Sequence, residues 1–365
     1  MQITVAKEKI LDALQHIQPV ITNKSTLPIL NNFHIEAREG KLTLSATDLQ
    51  VSIKCQIEAD IKKPGATTMP ARRTFTIFRE LAQPEIQLEI DNKDACSVRS
   101  GQSYFKILGL PATDYPALPE LQNPRQITIP QAVLKDLLRK TSYAISTDET
   151  RYVLNGVLFS VKDNTMTFVA TDGRRLALAE IEHEAPSTAQ GDVIIPTKAV
   201  HEIQRLLRDT GDVKIALSEN QISLEINNIT LYSKLTEGSY PNYRQVIPTE
   251  SRDRVTIERE AFNNMVRRVA IMTSEKSSSV KIHLTKDNIT LSANSPDLGE
   301  ARESVPVKYN GRELNIAFNP QYLQDPLRNL DSDEITIEFL DELSPGVMRT
   351  NSPGFLYVIM PMRVA

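Results

Sequence analysis

The chain has 365 residues and a formal net charge of −4, with 40% hydrophobic and 24% charged residues. This composition is ordinary for a globular protein, and the length predicts two or three domains of about 100–200 residues each. The slightly acidic balance by itself argues against a strongly basic nucleic-acid-binding protein. No run reaches the ~18–20 apolar residues that span a membrane, and the N-terminus lacks the pattern of a signal peptide, so we expect a cytoplasmic protein. Cys55 and Cys96 predict neither a zinc site nor a disulfide, and no cofactor is expected.

The sequence contains one unit three times. Strand-like segments that place Ile3, Ile127 and Val255 at equivalent positions each lead into a helical segment, at offsets of 124 and 128 residues. Ala46-Thr47-Asp48 returns as Ala170-Thr171-Asp172, again 124 residues later. The polar segments LQNPR and PTESRDR separate the units. These landmarks predict three domains, at residues 1–124, 125–250 and 251–365.

Each unit is predicted to contain antiparallel strands and two helices. Alternation of polar and apolar residues predicts strands at residues 41–45, 165–169 and 288–292. A hairpin is expected around the turn Ser218-Glu219-Asn220. Pro326 is expected to shorten or kink the last helix. The residues at helical spacing that are predicted to face inward are Ile10, Leu14, Ile17, Phe75, Phe78, Leu81, Leu134, Leu137, Leu138, Val200, Ile203, Leu206, Leu207, Phe262, Met265, Val266, Val269, Tyr322, Leu323, Leu327 and Leu330.

Positive charge is concentrated on the predicted helices. The six helices sum to +7 and the rest of the chain to −11, although the whole chain is acidic. A basic surface of this kind attracts a polyanion such as DNA. The alternative is that these helices carry lysine and arginine only for solubility.

No pattern of residues predicts catalysis, and we expect neither a catalytic residue nor a metal site. The five histidines do not pair at helical spacing, and the HExxH, GxSxG, P-loop and GxGxxG motifs are absent from the sequence. Asp48 and Asp172 recur at equivalent strand ends, where an aspartate commonly caps a turn. One alternative is a repeat-built hydrolase or nuclease that uses one of them. Another is a monomeric protein-interaction module that never meets DNA.

Two segments have the composition of a binding surface. Residues 172–176 place a turn glycine beside two arginines and a leucine, and residues 357–365 place two methionines on either side of a proline. Methionine adapts its shape and suits a surface that accepts several ligands. The alternative for the second segment is a final core strand.

The three repeats, ATDGRRLA at residues 170–177, SYPNYRQVIP at 239–248 and VIMPMR at 358–363, resemble the beta sliding clamps of bacterial DNA polymerase III. The resemblance covers essentially the whole chain. It implies an α+β fold of three repeated DNA-clamp domains, each with two helices packed on antiparallel sheets, and a ring-shaped head-to-tail homodimer. It also implies a non-enzymatic processivity factor that encircles duplex DNA without sequence preference and tethers the replicative polymerase.

The resemblance further implies partners and site residues. The partners are the DNA polymerase III alpha subunit, the clamp loader delta subunit, and other polymerases and repair proteins that carry clamp-binding peptides. The expected peptide pocket comprises Leu154, Thr171, Gly173, Arg174, Arg175, Leu176, Pro241, Val246, Asn319, Tyr322, Val358, Met360, Pro361 and Met362. The expected DNA contacts are Lys24, Arg151, Tyr152 and Lys198, to which the charge pattern adds Arg72 and Arg73. The expected dimer contacts are Phe105, Ile107, Ile271 and Met272.

Three expectations concern details of these sites. Within the pocket, Arg175 is expected to hold a carboxyl or carbonyl group of the peptide. For Phe105 and Ile107, the alternative to a dimer contact is a buried strand face. The sequence departs from the family at Arg174 and Gln245, where a relative has histidine and arginine, and the loop at residues 341–346 is assigned no pocket residue.

Overall fold

The computed structural model of the chain describes residues 1–21, 27–184, 190–274, 278–351 and 354–363. These residues form two compact units, the first from Met1–Leu134 with His201–Leu235 and the second from Lys135–Val200 with Thr236–Ala365. Both units combine α-helices with antiparallel sheets, as the strand and helix patterns predicted.

Most of the regular structure is β-strand. The α-helices of the described residues are α1 (Lys7–Ile17), α2 (Ala71–Glu80), α3 (Gln131–Thr141), α4 (Thr197–Leu206), α5 (Arg259–Val269) and α6 (Pro320–Arg328). The strands are β1 (Gln2–Ala6), β2 (Asn32–Arg38), β3 (Lys41–Thr47), β4 (Val51–Glu58), β5 (Asp60–Lys63), β6 (Gly65–Pro70), β7 (Glu85–Ile90), β8 (Ala95–Ser100), β9 (Ser103–Leu108), β10 (Arg125–Pro130), β11 (Gly156–Lys162), β12 (Thr165–Thr171), β13 (Arg175–Glu182), β14 (Gly191–Pro196), β15 (Asp212–Leu217), β16 (Gln221–Ile226), β17 (Ile229–Lys234), β18 (Asp253–Glu258), β19 (Val280–Thr285), β20 (Asn288–Ser295), β21 (Gly299–Pro306), β22 (Leu314–Phe318), β23 (Glu334–Phe339), β24 (Gly346–Thr350) and β25 (Phe355–Ile359).

The first unit holds two antiparallel sheets. One has five strands in the order β5-β1-β7-β8-β9, and the other has eight in the order β10-β15-β16-β17-β4-β3-β2-β6. Helix α1 buries one apolar side, with Ile10, Leu14 and Ile17 at most 1% exposed. Its amphipathic spacing and its packing therefore agree.

The second unit also holds two antiparallel sheets. The eight-stranded sheet runs β14-β11-β12-β13-β25-β24-β23-β18, and a four-stranded sheet runs β21-β20-β19-β22. Helix α5 buries Phe262, Met265, Val266 and Val269 at 1% exposure or less. The two sheets and their helices enclose the core of this unit.

Each eight-stranded sheet joins strands from two of the predicted repeats. In the first unit β4 pairs with β17, and in the second β13 pairs with β25. Both pairings are antiparallel, so backbone hydrogen bonds continue across the boundary between repeats. The second of these joints carries the candidate peptide-binding site.

The predicted elements are largely confirmed. The alternating segments lie within β3, β12 and β20, and the expected hairpin is β15 followed by β16. Helix α6 contains Pro326 and has nine residues. Two residues predicted to face inward, Phe75 and Tyr322, are only half-buried. On α2, Thr74 takes the fully buried position and the guanidinium of Arg79 lies over the Phe75 ring. On α6, Leu323 and Leu327 take the fully buried positions.

Candidate functional site

The turn between β12 and β13 is held by its own side chains. Asp172 Oδ1 accepts hydrogen bonds from the backbone N–H groups of Arg174 (2.8 Å) and Arg175 (3.1 Å). Thr171 Oγ1 donates to the carbonyl of Arg175 and accepts from the N–H of Gly173. Asp48 accepts two N–H groups in the equivalent turn of the first repeat. The predicted turn-capping role of both aspartates is confirmed. Neither turn contains a second carboxylate that could pair with its aspartate in catalysis.

Gly173 lies at the tip of this turn with φ of +85°, in the left-handed region that glycine adopts most readily. A Cβ placed on Gly173 would lie 2.7 Å from Nη1 of Arg151. Arg151 is also bound to Asp148, whose carboxylate accepts from its Nε at 2.9 Å. Arg151, a predicted DNA contact, therefore lies directly against a predicted pocket residue.

The C-terminal segment continues from β25 along the same turn. The N–H of Met360 donates to the carbonyl of Arg174 at 2.9 Å, and the N–H of Met362 donates to the carbonyl of Ala317 at 2.7 Å. Met360 is 43% exposed, while Pro361 is half-buried. The segment thus presents apolar side chains to solvent while two backbone hydrogen bonds fix its path.

An apolar cluster lies on one face of the eight-stranded sheet of the second unit. It includes the paired residues Leu176 and Val358, which are 2% exposed. Tyr240, Tyr243 and Ile247 from the segment between the second and third repeats pack against this cluster. Leu154, another predicted pocket residue, is 7% exposed, whereas Pro241 and Val246 are exposed. Leu154, Leu176 and Val358 are therefore available only as the floor of a site.

Helix α6 begins beside this segment. Asn319 is its N-cap, with Oδ1 accepting from the N–H groups of Gln321 (2.8 Å) and Tyr322 (3.4 Å). These two bonds satisfy N–H groups that lack a partner within the helix. Asn319 and Tyr322 are both half-buried. The first turn of α6 therefore brings Tyr322 to the edge of the site.

Arg175 is held inside the protein and does not extend into solvent. Its side chain is 9% exposed, and its guanidinium donates to Asp172, to Asp325 and to the carbonyl of Tyr143. The same group lies over the ring of Tyr322, with Cζ 4.4 Å from the ring centre. With its nitrogens engaged in this way, Arg175 has a supporting role in this structure. The geometry does not favour the expected contact with a peptide carboxyl group.

Two residues of this network, Tyr143 and Asp325, were not found from the sequence, and Tyr357 was noted only as the first residue of the segment 357–365. The hydroxyl of Tyr357 donates to the carbonyl of Tyr322 at 2.8 Å. That carbonyl would bond to the N–H of residue 326 in a regular helix, and Pro326 has no N–H. A proline inside a helical pattern was therefore the available signal. Burial raises the pKa of Tyr143 and of Tyr357, so both phenols stay protonated.

The predicted DNA contacts are placed as follows. Arg72 and Arg73 are exposed in the first turn of α2, and neither forms a salt bridge with another described residue. Tyr152 is 58% exposed, and Lys198 is half-buried on α4. Lys24 lies outside the described residues. Arg72, Arg73 and Tyr152 are thus available to a polyanion.

The predicted dimer contacts fall into two groups. Phe105 (39% exposed) and Ile271 (71% exposed) present apolar surface to solvent. Ile107 is 4% exposed, so the alternative of a buried strand face describes Ile107 but not Phe105. Met272 is half-buried and lies over Gly299 at the start of β21.

Comparison with known proteins identifies the family. Models of the N-terminal, central and C-terminal domains of the DNA polymerase III beta subunit match residues 1–119, 128–242 and 244–363. The beta sliding clamp of Chlamydia muridarum is 35% identical over 100% of this chain and 99% of its own length. Solved sliding clamps from Bacillus subtilis (30% identity, TM-score 0.97) and from Bartonella birtlesii bound to griselimycin (36% identity, TM-score 0.95) each match over 100% of both chains.

The fold and the matches together define a DNA sliding clamp built from three clamp domains. The chain belongs to the DNA polymerase III beta-subunit family, the beta sliding clamps of bacterial replication. Its function is to tether DNA polymerase to DNA as a processivity factor, and the prediction of a clamp and not an enzyme is confirmed. Clamps of this family work as homodimer rings around DNA and bind polymerase and other proteins through a peptide pocket.

Within the described residues, none of the helices has the length and apolarity needed to cross a membrane.

Proposed function

We propose that two copies of this chain close into a ring by pairing β9 of one copy with β21 of the other. The observation that carries this proposal is that both joints between repeats within the chain have the same register. In the first joint Leu231 lies opposite Ile53, and in the second Tyr357 lies opposite Ala177. A third joint of the same kind, between two copies of the chain, would close the ring.

The repeat relation gives the residues that would meet in this third joint. Ala301 stands opposite Ala293 in its hairpin, as Ala177 stands opposite Ala170. Phe105 is the third residue of the strand that leaves a tight hairpin, as Leu231 is in the second repeat. Phe105 is therefore expected opposite Ala301 of the partner copy. The next pair along the strands is Lys106 opposite Glu300, a pair of opposite charges.

Burial supports this assignment. Leu231 and Tyr357, the equivalents of Phe105, are 0% exposed because a neighbouring strand covers each of them. Phe105 is 39% exposed, which is the state of such a residue when its covering strand is missing. Ile271 and Met272, close to β21, would add apolar contact area at the same joint.

Disulfide trapping tests the register. Lys106→Cys with Glu300→Cys in one chain is expected to give covalent dimers on mild oxidation, since facing strand residues have Cα atoms about 4.5–5.5 Å apart. Tyr104→Cys with Glu300→Cys is the matched control, because it shifts one partner by two residues, about 6.8 Å. The natural Cys55 and Cys96 are buried and free, so they leave the introduced pair to react. Trapping of the control pair alone contradicts the register.

For the peptide pocket we propose the fourteen residues expected from the sequence, with the buried ones as floor and Arg175 as support. The supporting observation is that the turn 171–176, residues 358–362 and the start of α6 are joined by hydrogen bonds and packing within one compact unit. Deletion of residues 360–365 is expected to abolish binding of a polymerase C-terminal peptide and to leave dimerisation intact. Unchanged affinity for that peptide would refute the assignment.

For DNA we propose that Arg72, Arg73, Arg151, Tyr152, Lys198 and Lys24 contact the phosphate backbone. Contacts of this kind position a protein without reading sequence. The exposure of Arg72, Arg73 and Tyr152 and the +7 sum over the helices support it. We also propose domain boundaries near residues 124 and 250, and a cytoplasmic location.

A further inference from the structure

We propose that Asp325 is a positioning residue of the peptide pocket: through Arg175 it holds Tyr322 in place before a peptide arrives. The proposal rests on the pocket assignment above. Asp325 lies on α6 outside the fourteen pocket residues, and its side chain is 15% exposed. Its role follows from the partners of its two carboxylate oxygens.

Asp325 joins the two sides of the site through a single guanidinium. One oxygen of Asp325 accepts from Nη1 of Arg175, and the other accepts from the amide of Gln321 on the same helix. Arg175 is the first residue of β13, so this ion pair ties α6 to the turn that follows β12. With both carboxyl partners of Arg175 at or below 16% exposure, the pair is shielded from competing water and salt.

The same guanidinium also holds the aromatic ring of Tyr322 at the edge of the pocket. Its Cζ lies over the Tyr322 ring, 4.4 Å from the ring centre, a distance at which a cation attracts an aromatic face. The backbone of Tyr322 is held separately, by the hydroxyl of Tyr357 on its carbonyl. The Tyr322 ring orientation therefore depends on Arg175, whereas the position of its main chain does not.

Asp172 also pairs with Arg175, but a substitution of Asp172 would disturb the turn as well as the ion pair. Its second oxygen accepts two backbone N–H groups of the turn 172–175, so its replacement would change the local backbone. The carboxylate of Asp325 has Arg175 and Gln321 as its described side-chain partners. Asp325 can therefore be neutralised with little direct effect on the pocket backbone.

Neutralising Asp325 leaves Arg175 with one buried carboxylate in place of two. The guanidinium is then free to turn from the Tyr322 ring, and a peptide must order that ring when it binds. Ordering a side chain during binding weakens affinity, chiefly through faster dissociation. We expect Asp325→Asn to weaken peptide binding on the order of tenfold, the change that follows from about 1.4 kcal/mol.

The test uses the full-length clamp and a fluorescent peptide that copies the clamp-binding segment of the cognate polymerase alpha subunit. Asp331→Asn is the matched control, since Asp331 forms an exposed ion pair with Arg139 just after α6. We expect about tenfold weaker binding for Asp325→Asn, partial recovery for Asp325→Glu, and wild-type affinity for Asp331→Asn. Dimer mass and retention on circular DNA should not change in any of them.

A second experiment, in a variant that lacks Arg175, distinguishes positioning of Tyr322 from a general loss of structure in the pocket. In Arg175→Met, which has no cation over Tyr322, adding Asp325→Asn should cause no further loss of affinity. An equal loss in both backgrounds, or binding by Asp325→Asn within twofold of the wild type, overturns the proposal. Should Asp325→Asn fail to fold, Arg175→Lys replaces it: wild-type affinity in that variant would also overturn the proposal. A wild-type clamp that does not bind the peptide overturns the pocket assignment itself.

Discussion

Gly173 and Arg151 are in contact, and a side chain on the glycine would displace the arginine guanidinium. A Cβ at Gly173 would lie 2.7 Å from Nη1 of Arg151, and the glycine has φ of +85°. The turn therefore depends on glycine for its backbone conformation, while the guanidinium of Arg151, whose side chain is 47% exposed, would have to shift to admit a Cβ. This relationship also makes the predicted pocket and a predicted DNA contact adjacent.

The first prediction follows from this contact. Gly173→Ala should destabilise the turn by about 1–2 kcal/mol, the cost of placing an L-residue in the left-handed region, and should displace Arg151. Peptide affinity should fall in a fluorescence anisotropy titration. Gly173→Ala in an Arg151→Ala background separates the two causes, because the steric part of the loss should disappear while the conformational part stays.

A second prediction concerns Tyr357 and Pro326. Tyr357→Phe should cost about 0.5–1.5 kcal/mol of unfolding free energy, the net contribution of a typical hydrogen bond, because it leaves the partly buried carbonyl of Tyr322 without this donor. Pro326→Ala supplies the missing N–H, so the double variant should lose less than Tyr357→Phe alone. Urea unfolding of the four proteins measures this coupling. Simple additivity of the two changes would contradict the assignment of this bond.

A third prediction tests the basic helices. Arg72→Ala with Arg73→Ala should make the dependence of log affinity on log salt less steep for linear duplex, by about 0.9 for each phosphate that an arginine no longer neutralises. Arg38→Ala with Lys41→Ala is the control, since these exposed residues lie on strands β2 and β3. Equal changes in slope for the two double variants would contradict a specific role for the helix arginines.

A fourth prediction concerns pH. Burial by itself would raise the pKa of Asp253, but hydrogen bonds from Arg312 outweigh it and hold the pKa below its usual value. The pair therefore stabilises the fold above the ordinary aspartate pKa of about 3.9, and this contribution is lost as pH falls through the lower folded-state pKa. The loss of unfolding free energy in Arg312→Gln should be full at pH 6 and shrink below pH 4. Arg38→Gln, which breaks an exposed pair with Glu39, should change little at any pH.

Repetition and periodicity made much of the fold predictable. The Ala-Thr-Asp landmarks mark equivalent hairpins, and the inward positions of α1 and α5 are buried as expected because helical spacing determines which side faces the core. Phe75 was misplaced because helical spacing does not say which of two adjacent residues, Thr74 or Phe75, points inward. The pairing of β13 with β25 joins residues about 180 apart, and local pattern carries no information on such contacts.

The site was predictable only in part, for a related reason. The turn 171–176 and the C-terminal segment stand out in the sequence, but the burial of Arg175 depends on Asp325 and Tyr143, which lie on other elements. Its expected contact with a peptide followed from the family resemblance and from the residue type. The helix interruption at Pro326 was visible, whereas its partner Tyr357 was not, since only the folded chain brings the two together.

The most direct test of the clamp assignment is retention on circular against linear DNA. Labelled clamp is loaded on a nicked plasmid with the clamp loader and passed through a sizing column before and after the plasmid is cut once. We predict coelution with the circle, release from the cut form, and retention on cut DNA whose ends are blocked by bound protein. Equal retention on circular and open linear DNA would contradict a ring that slides on the duplex it encircles.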